Sequence, residues 1–281
     1  MNGGLVRLRE ILDRITPSER KVAEFILKDP RSTVGLSIAQ LAERSGGSQA
    51  AVTRLCKSLG LKGYKELMLK VAGDLHESGG QGYFDIRPQD SISNIVRNVS
   101  NNNMQAIRDT MKLLDVAMVN KAVEALARAE HIYFYGVGAS NLIAQDAQHK
   151  FVRINKTSFA FADTDLQRTT AVLLTERDVA VGISYSGQTA NVVACLKSAK
   201  KAGATIISIT KYGQTPVSDQ AHIPLFISST ENKVRIGAMS SRITQLNLID
   251  ILYTGLASID YEKSVKYLEI SQGALDEEKG K

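Results

Sequence analysis

The chain has 281 residues, 43% hydrophobic and 23% charged, with a formal net charge of +6 and a sequence pI near 9.2. That length predicts two domains, one of about 80 and one of about 200 residues, and no apolar run approaches the roughly 20 residues of a membrane span, so a soluble chain is expected. Residues 1–78 carry thirteen Lys and Arg against nine Asp and Glu, the remainder 22 against 20, and a basic small domain joined to a nearly neutral large one points to a polyanion partner for the small part.

The first segment, MNGGLVRLREILDRI, mixes charges into its apolar positions at helical spacing and lacks the unbroken centre of a secretory signal. The expected location is the cytoplasm. From Leu5 to Leu75 apolar residues recur at i, i+3 and i+4, and the pattern predicts helix almost throughout. Thr16 to Arg20 (TPSER) supplies a cap with Pro and Glu behind it, Pro30 ends that helix, Ser37 starts another, and Ser45 to Ser48 turn the chain.

Residues Ile38 to Lys57 fit a helix-turn-helix position by position. Leu41 and Val52 are apolar where two helices touch, Ala42 is small where they cross, Gly46 falls where the turn needs positive φ, and Leu55 packs the second helix down. On this register Ser48, Gln49, Ala50, Thr53, Arg54 and Lys57 face outward and are the expected DNA contacts: Gln to adenine, Arg to guanine or backbone, Ser and Thr to phosphate. A helical hairpin with solvated charges is the alternative.

Residues 78–91 form the expected linker, being rich in Gly and polar residues without a sustained period. Residues 92–281 are then the expected large domain and 1–77 the small one. Two amphipathic helices, 92–114 and 116–129, precede strands expected at 131–135, 158–161, 178–183, 205–209 and 223–227, with helices at 140–154, 166–174, 189–202 and about 240–259. Near-continuous apolar strands alternating with helices define an α/β class, a doubly wound five-stranded parallel sheet in flavodoxin-like order 2-1-3-4-5. The tail LDEEKGK is expected to fray. Cys56 and Cys195 sit in apolar helical patterns and are expected to be buried free thiols, with no metal centre.

Two Gly/Ser turns, GVGAS (Gly136 to Ser140) and SYSGQT (Ser184 to Thr189), each follow a strand and open a helix. In the flavodoxin-like order strands one and three are neighbours, so both turns flank the crevice at the topological switch point. There helix N–H groups and dipole ends converge with the hydroxyls of Ser140, Ser184, Ser186 and Thr189, which suits a phosphate. A nucleotide binder fits poorly: GVGAS lacks the third Gly of a dinucleotide fingerprint and SYSGQT lacks a P-loop Lys.

TPSERKVAEFIL, the Ile38 to Leu67 block, GVGASNLIAQDAQHKFVRIN, ISYSGQT and SSRITQLNLIDIL, in this order, resemble the RpiR-type bacterial transcriptional regulators, which join a helix-turn-helix domain to a SIS (sugar isomerase) domain. The resemblance implies a sensor of a phosphorylated sugar or amino sugar, operator DNA as partner, a homodimer or homotetramer, and no cofactor. It places ligand contacts on Gly138, Ser140, Ser184, Ser186, Gln188 and Thr189, with Gly136 and Gly187 admitting the backbone. Glu231 is expected near the sugar, and Arg235 and Arg242 in the same pocket or its rim. The rival reading is an aldose-ketose phosphate isomerase. That reaction needs a base, yet His76, His131, His149 and His222 do not cluster and Glu231 stands alone.

Overall fold

The computed structural model describes residues 2–76, 88–228 and 239–276. The chain divides into two compact units, Met1–Leu113 with Ser228–Val234, and Leu114–Ile227 with Arg235–Lys281.

The first unit is helical: α1 (Gly4–Ile11), α2 (Pro17–Lys28), α3 (Pro30–Thr33), α4 (Ile38–Arg44), α5 (Gln49–Ser58), α6 (Tyr64–His76) and α7 (Ile92–Leu113). Sequence chemistry sets the starts. Thr16 with Glu19, and Ser37 with Gln40, close reciprocal capping boxes on α2 and α4, while the Ser48 hydroxyl accepts from the Ala51 N–H at the start of α5. Val22, Ile26, Leu41, Val52, Leu55, Leu59 and Leu67 are fully buried between these helices. The carboxylate of Asp74 on α6 caps α1, accepting from Gly3 N at 2.7 Å and Leu5 N at 2.8 Å.

Helix α7 groups with this unit, whereas the composition break places it beyond the 78–91 linker; residues 77–87 lie outside the described residues. The reason is polar. Buried Asp109 lies 3.7 Å from the Arg9 guanidinium, Lys112 Nζ lies 3.9 Å from Asp74, and a Cβ on Gly3 would stand 2.7 Å from the Lys112 carbonyl oxygen. Helical periodicity carries no information about such long-range partners.

The second unit comprises α8 (Val116–Arg128), β1 (Ile132–Tyr135), α9 (Ala139–Arg153), β2 (Ser158–Ala160), α10 (Thr164–Ala171), β3 (Val179–Ile183), α11 (Ala190–Lys201), β4 (Thr205–Lys211), a 3-10 turn (Ser218–Gln220), β5 (Ile223–Ile227), α12 (Ser240–Ile259) and α13 (Tyr261–Asp276). All strands pair in parallel in the order β2-β1-β3-β4-β5. One sheet face, with Ile132, Phe134, Val181, Ile183, Ile207 and Ile209, packs on α8, α9 and α12. The other carries Tyr135, Ala180 and Ile206 against Ala171, Cys195 and Leu196 of α10 and α11. Helix α13 adds to the expected elements, with Arg153 Nε of α9 donating to Ser271 Oγ at 3.5 Å, and residues 277–281 of the tail expected to fray lie outside the described residues.

Cys56 and Cys195 are buried and unpaired, and burial pushes both thiols up to about 11. At neutral pH they stay protonated and serve as small apolar side chains. Among the described residues no helix is long and apolar enough to cross a membrane, and no group of three or more His, Cys, Asp or Glu side chains could hold a metal ion.

Candidate functional sites: paired turns and a helix-turn-helix

The β1–β3 register ends with Tyr135 opposite Gly182, so GVGAS and SYSGQT leave adjacent strands about 4.8 Å apart. Each opens a helix whose N-terminus has no side-chain cap. Gly138 (φ +60°) stands at the N-cap of α9 and Thr189 at that of α11, and neither first turn holds an acidic residue. In the same unit Asp115 and Asp163 cap α8 and α10. Two positive helix ends without side-chain caps therefore open beside each other at the switch point. Ser140, on the first turn of α9, is half-buried; next to it Asn141 is buried with no partner for its Oδ1.

The second turn is organised by its own hydroxyls. Ser184 Oγ and Thr189 Oγ1 are 2.8 Å apart, Gly187 N donates to Ser184 Oγ at 3.2 Å, and Gln188 N donates to Ser186 Oγ at 3.2 Å. Ser184 N donates to the Ile209 carbonyl and Lys211 N to that of Tyr185, so the β3–β4 ladder continues into the turn. Ser184 is buried, Ser186 and Thr189 half-buried and Gln188 exposed.

Two glycines are demanded by close approach. A Cβ on Gly136 would stand 2.6 Å from the Ser140 carbonyl oxygen, in the first turn of α9. Gly187 has φ +68°, and its Cβ would stand 2.5 Å from Thr215 Cβ. Thr215 is held by four hydrogen bonds with Ser218 between 2.9 and 3.1 Å, and Val217 N donates to the Gly187 carbonyl at 3.1 Å.

Sequence reasoning passed over three residues here. Thr215 braces the turn from the β4–β5 connection. Lys211, at the carboxyl end of β4, places its Nζ 6.0 Å from the Tyr185 ring centroid. Gln167, fully buried on α10, donates to the carbonyls of Gly136 at 2.8 Å and Phe161 at 2.7 Å. Of the remaining expected contacts, Glu231 and Arg235 lie outside the described residues, and Arg242 is exposed on α12. Among the imidazoles, His131 precedes β1 at the sheet's amino edge with Nδ1 2.9 Å from Asp178 Oδ1. The Ile206 N–H donates to Nδ1 of His222, which precedes β5 at the same edge, while His149 is exposed on α9.

In the helical unit the expected reading helix is α5. Leu41, Ala42, Val52 and Leu55 are buried, Gly46 has φ +65°, and Ser48, Gln49, Ala50, Thr53, Arg54 and Lys57 are exposed. Three of these side chains already have partners. The Ser48 hydroxyl caps α5, Thr53 Oγ1 donates to the Gln49 carbonyl at 3.0 Å, and Arg54 Nη2 donates to Ser18 Oγ at 3.2 Å. Gln49, Ala50, Lys57 and the other donors of Arg54 make up the rest of the outward face.

Glu19 ties α2 to α5: Ser58 Oγ donates to Glu19 Oε1 at 2.9 Å and Thr16 N to Oε2 at 2.9 Å. Burial pushes its carboxyl up, but hydrogen bonds from Thr16 and Ser58, with the Arg54 charge, outweigh this and hold it below the ordinary 4.5. A folded value below the unfolded one gives stability present above pH 4.5 and lost as pH falls through the folded value. Glu19→Gln is therefore expected to cost about 1 kcal/mol at pH 7 and progressively less below pH 4.5, read as converging thermal melts; a constant gap across pH would refute it.

A helical DNA-reading pair joined to a doubly wound sheet with two uncapped, hydroxyl-lined turns defines a helix-turn-helix protein carrying an α/β ligand domain. Comparison with known proteins agrees. Residues 2–78 match the helix-turn-helix domain of the rpiR family, and residues 125–255 match the SIS domain. An uncharacterized HTH-type transcriptional regulator of Caldanaerobacter subterraneus subsp. tengcongensis is 44% identical over 98% of each chain, and the HTH-type transcriptional regulator HexR of Pseudomonas aeruginosa is 33% identical over 96% of each. Among solved structures, the Vibrio vulnificus NanR protein complexed with ManNAc-6P aligns over 97% of both chains with a TM-score of 0.61 and 27% identity. The chain belongs to the rpiR family of HTH-type transcriptional regulators.

Proposed function

We propose that this chain is a DNA-binding regulator whose sheet unit takes a phosphorylated sugar or amino sugar, the phosphate being held by Ser140, Ser184, Ser186 and Thr189 with Gln188 and the N–H groups that open α9 and α11. The observation that carries this reading is the pairing of two uncapped helix N-termini after neighbouring strands, with four hydroxyl side chains on the two turns. The NanR complex with ManNAc-6P supports the ligand class.

Gln49, Arg54 and Lys57, with Ser48, Ala50 and Thr53 beside them, form the proposed DNA face. The protein acts in the cytoplasm as a homodimer or homotetramer, its two reading helices meeting half-sites ~34 Å apart. Effector changes operator affinity by favouring one arrangement of the reading helices, a coupling of roughly 5- to 150-fold. We read the sheet unit as a sensor and not an isomerase: the relatives are named regulators, and His131 and His222 stand at the amino edge, away from the turns.

The test uses an operator selected from random duplex DNA. Arg54→Ala is expected to weaken operator binding about 10- to 100-fold and lower its salt dependence while sugar-phosphate binding is unchanged. Operator affinity equal to wild type would take Arg54, and this placement of α5, out of the interface.

A further inference from the structure

We propose that Gln167 is the positioning residue that sets the separation of the two anion-binding turns. The inference rests on the phosphate-holding role given to those turns above. Gln167 is fully buried and uses both amide protons and its oxygen: Nε2 donates to the Gly136 carbonyl at 2.8 Å and to the Phe161 carbonyl at 2.7 Å, and Oε1 accepts from Asn191 Nδ2 at 3.0 Å.

The three partners are the pieces that have to be aligned. Gly136 is the first residue of GVGAS, Phe161 follows β2, and Asn191 is the second residue of α11, whose N-terminus SYSGQT opens. Backbone pairing between β1 and β3 ends at Tyr135 and Gly182. Past that point Gln167 and Asn191 bridge one turn to the helix that follows the other. Gripping a single tetrahedral anion from two sides depends on such alignment, because hydrogen bonds weaken steeply once donors leave the 2.7–3.2 Å range and the favourable angle.

Only a carboxamide fills this place. A glutamate would set a carboxylate against two carbonyl oxygens, and an apolar side chain of similar length would leave the buried Gly136 carbonyl and the part-buried Phe161 carbonyl without that donor. Gly136 has little freedom to compensate, since it already approaches the Ser140 carbonyl closely.

The experiment is a double-mutant cycle on the full chain, titrated with inorganic phosphate and with the tightest binder of a panel of hexose, pentose and amino-sugar phosphates. In the wild-type background Ser140→Ala is expected to weaken binding about tenfold. Gln167→Met is expected to weaken it about tenfold by itself, and in that background Ser140→Ala should cost less than threefold, because the turns no longer hold the anion jointly. A residue that only stabilises the fold would leave the cost of Ser140→Ala at its wild-type size, and that result overturns the proposal. Should Gln167→Met fail to fold, the same cycle with Asn191→Ala, at a half-buried position, decides by the same criterion. A wild-type chain that binds neither inorganic phosphate nor any panel member would remove the anion site itself, whereas wild-type binding with additive variants would remove only the role of Gln167.

Discussion

Replacing Ser184 and Ser186 together by alanine is expected to weaken sugar-phosphate binding by ~10² to 10⁴ while operator binding in the absence of effector stays at its wild-type value. Hydrogen bonds to a charged group contribute about 1.5–3 kcal/mol each, two of them ~3–6 kcal/mol, and each 1.4 kcal/mol is about tenfold. Ser184 has a further role, because its oxygen accepts from Gly187 N and pairs with Thr189 Oγ1, so its loss loosens the turn that presents the remaining donors. The effect should appear in calorimetric titration and in the loss of effector response in an operator-binding assay. A double variant that binds and responds like wild type would place the phosphate elsewhere.

Gly187→Ala is expected to be the most damaging single-methyl change in the sheet unit. Holding a non-glycine residue at φ +68° costs on the order of 1–3 kcal/mol, and the new Cβ would stand 2.5 Å from Thr215 Cβ. That neighbour has little room to retreat. Thr215 is buried and locked to Ser218, and Val217 N ties its loop back to the Gly187 carbonyl. Overpacking adds roughly 1–3 kcal/mol, and at ~2–4 °C per kcal/mol for a unit of this size the melting temperature should fall by ~5–20 °C, with effector affinity lost as the turn shifts. A melt within 2 °C of wild type would mean that the SYSGQT turn yields without strain.

The parts of this molecule that could be read in the sequence are those governed by local rules. Leu41, Ala42, Gly46, Val52 and Leu55 obey a spacing that one helix pair imposes, and the apolar strands separated by helices dictate a parallel sheet whose switch point falls between β1 and β3. Both turns follow from that order. What stayed hidden was decided by partners far along the chain. Gln167 sits in the amphipathic pattern TDLQRTTA like any surface glutamine, and nothing local says that it is buried against Gly136, 31 positions earlier. Thr215 reads as an ordinary polar loop residue until Gly187 is seen to face it. The expected role of Arg54 in DNA contact says nothing of Ser18, which takes one of its donors and is adjacent only because α2 packs on α5. The assignment of α7 had the same cause, since Asp109 and Lys112 find Arg9 and Asp74 across the unit.

The carboxylate of Asp74 satisfies the opening N–H groups of α1 from 71 and 69 positions away. As the ribosome extrudes the chain, α1 emerges early but lacks its terminal partner until the whole reading hairpin and α6 have followed it out. The helix-turn-helix is thus sealed late, by a contact that reaches across it from α6 to α1, and α1 stays open to fraying throughout that interval of synthesis.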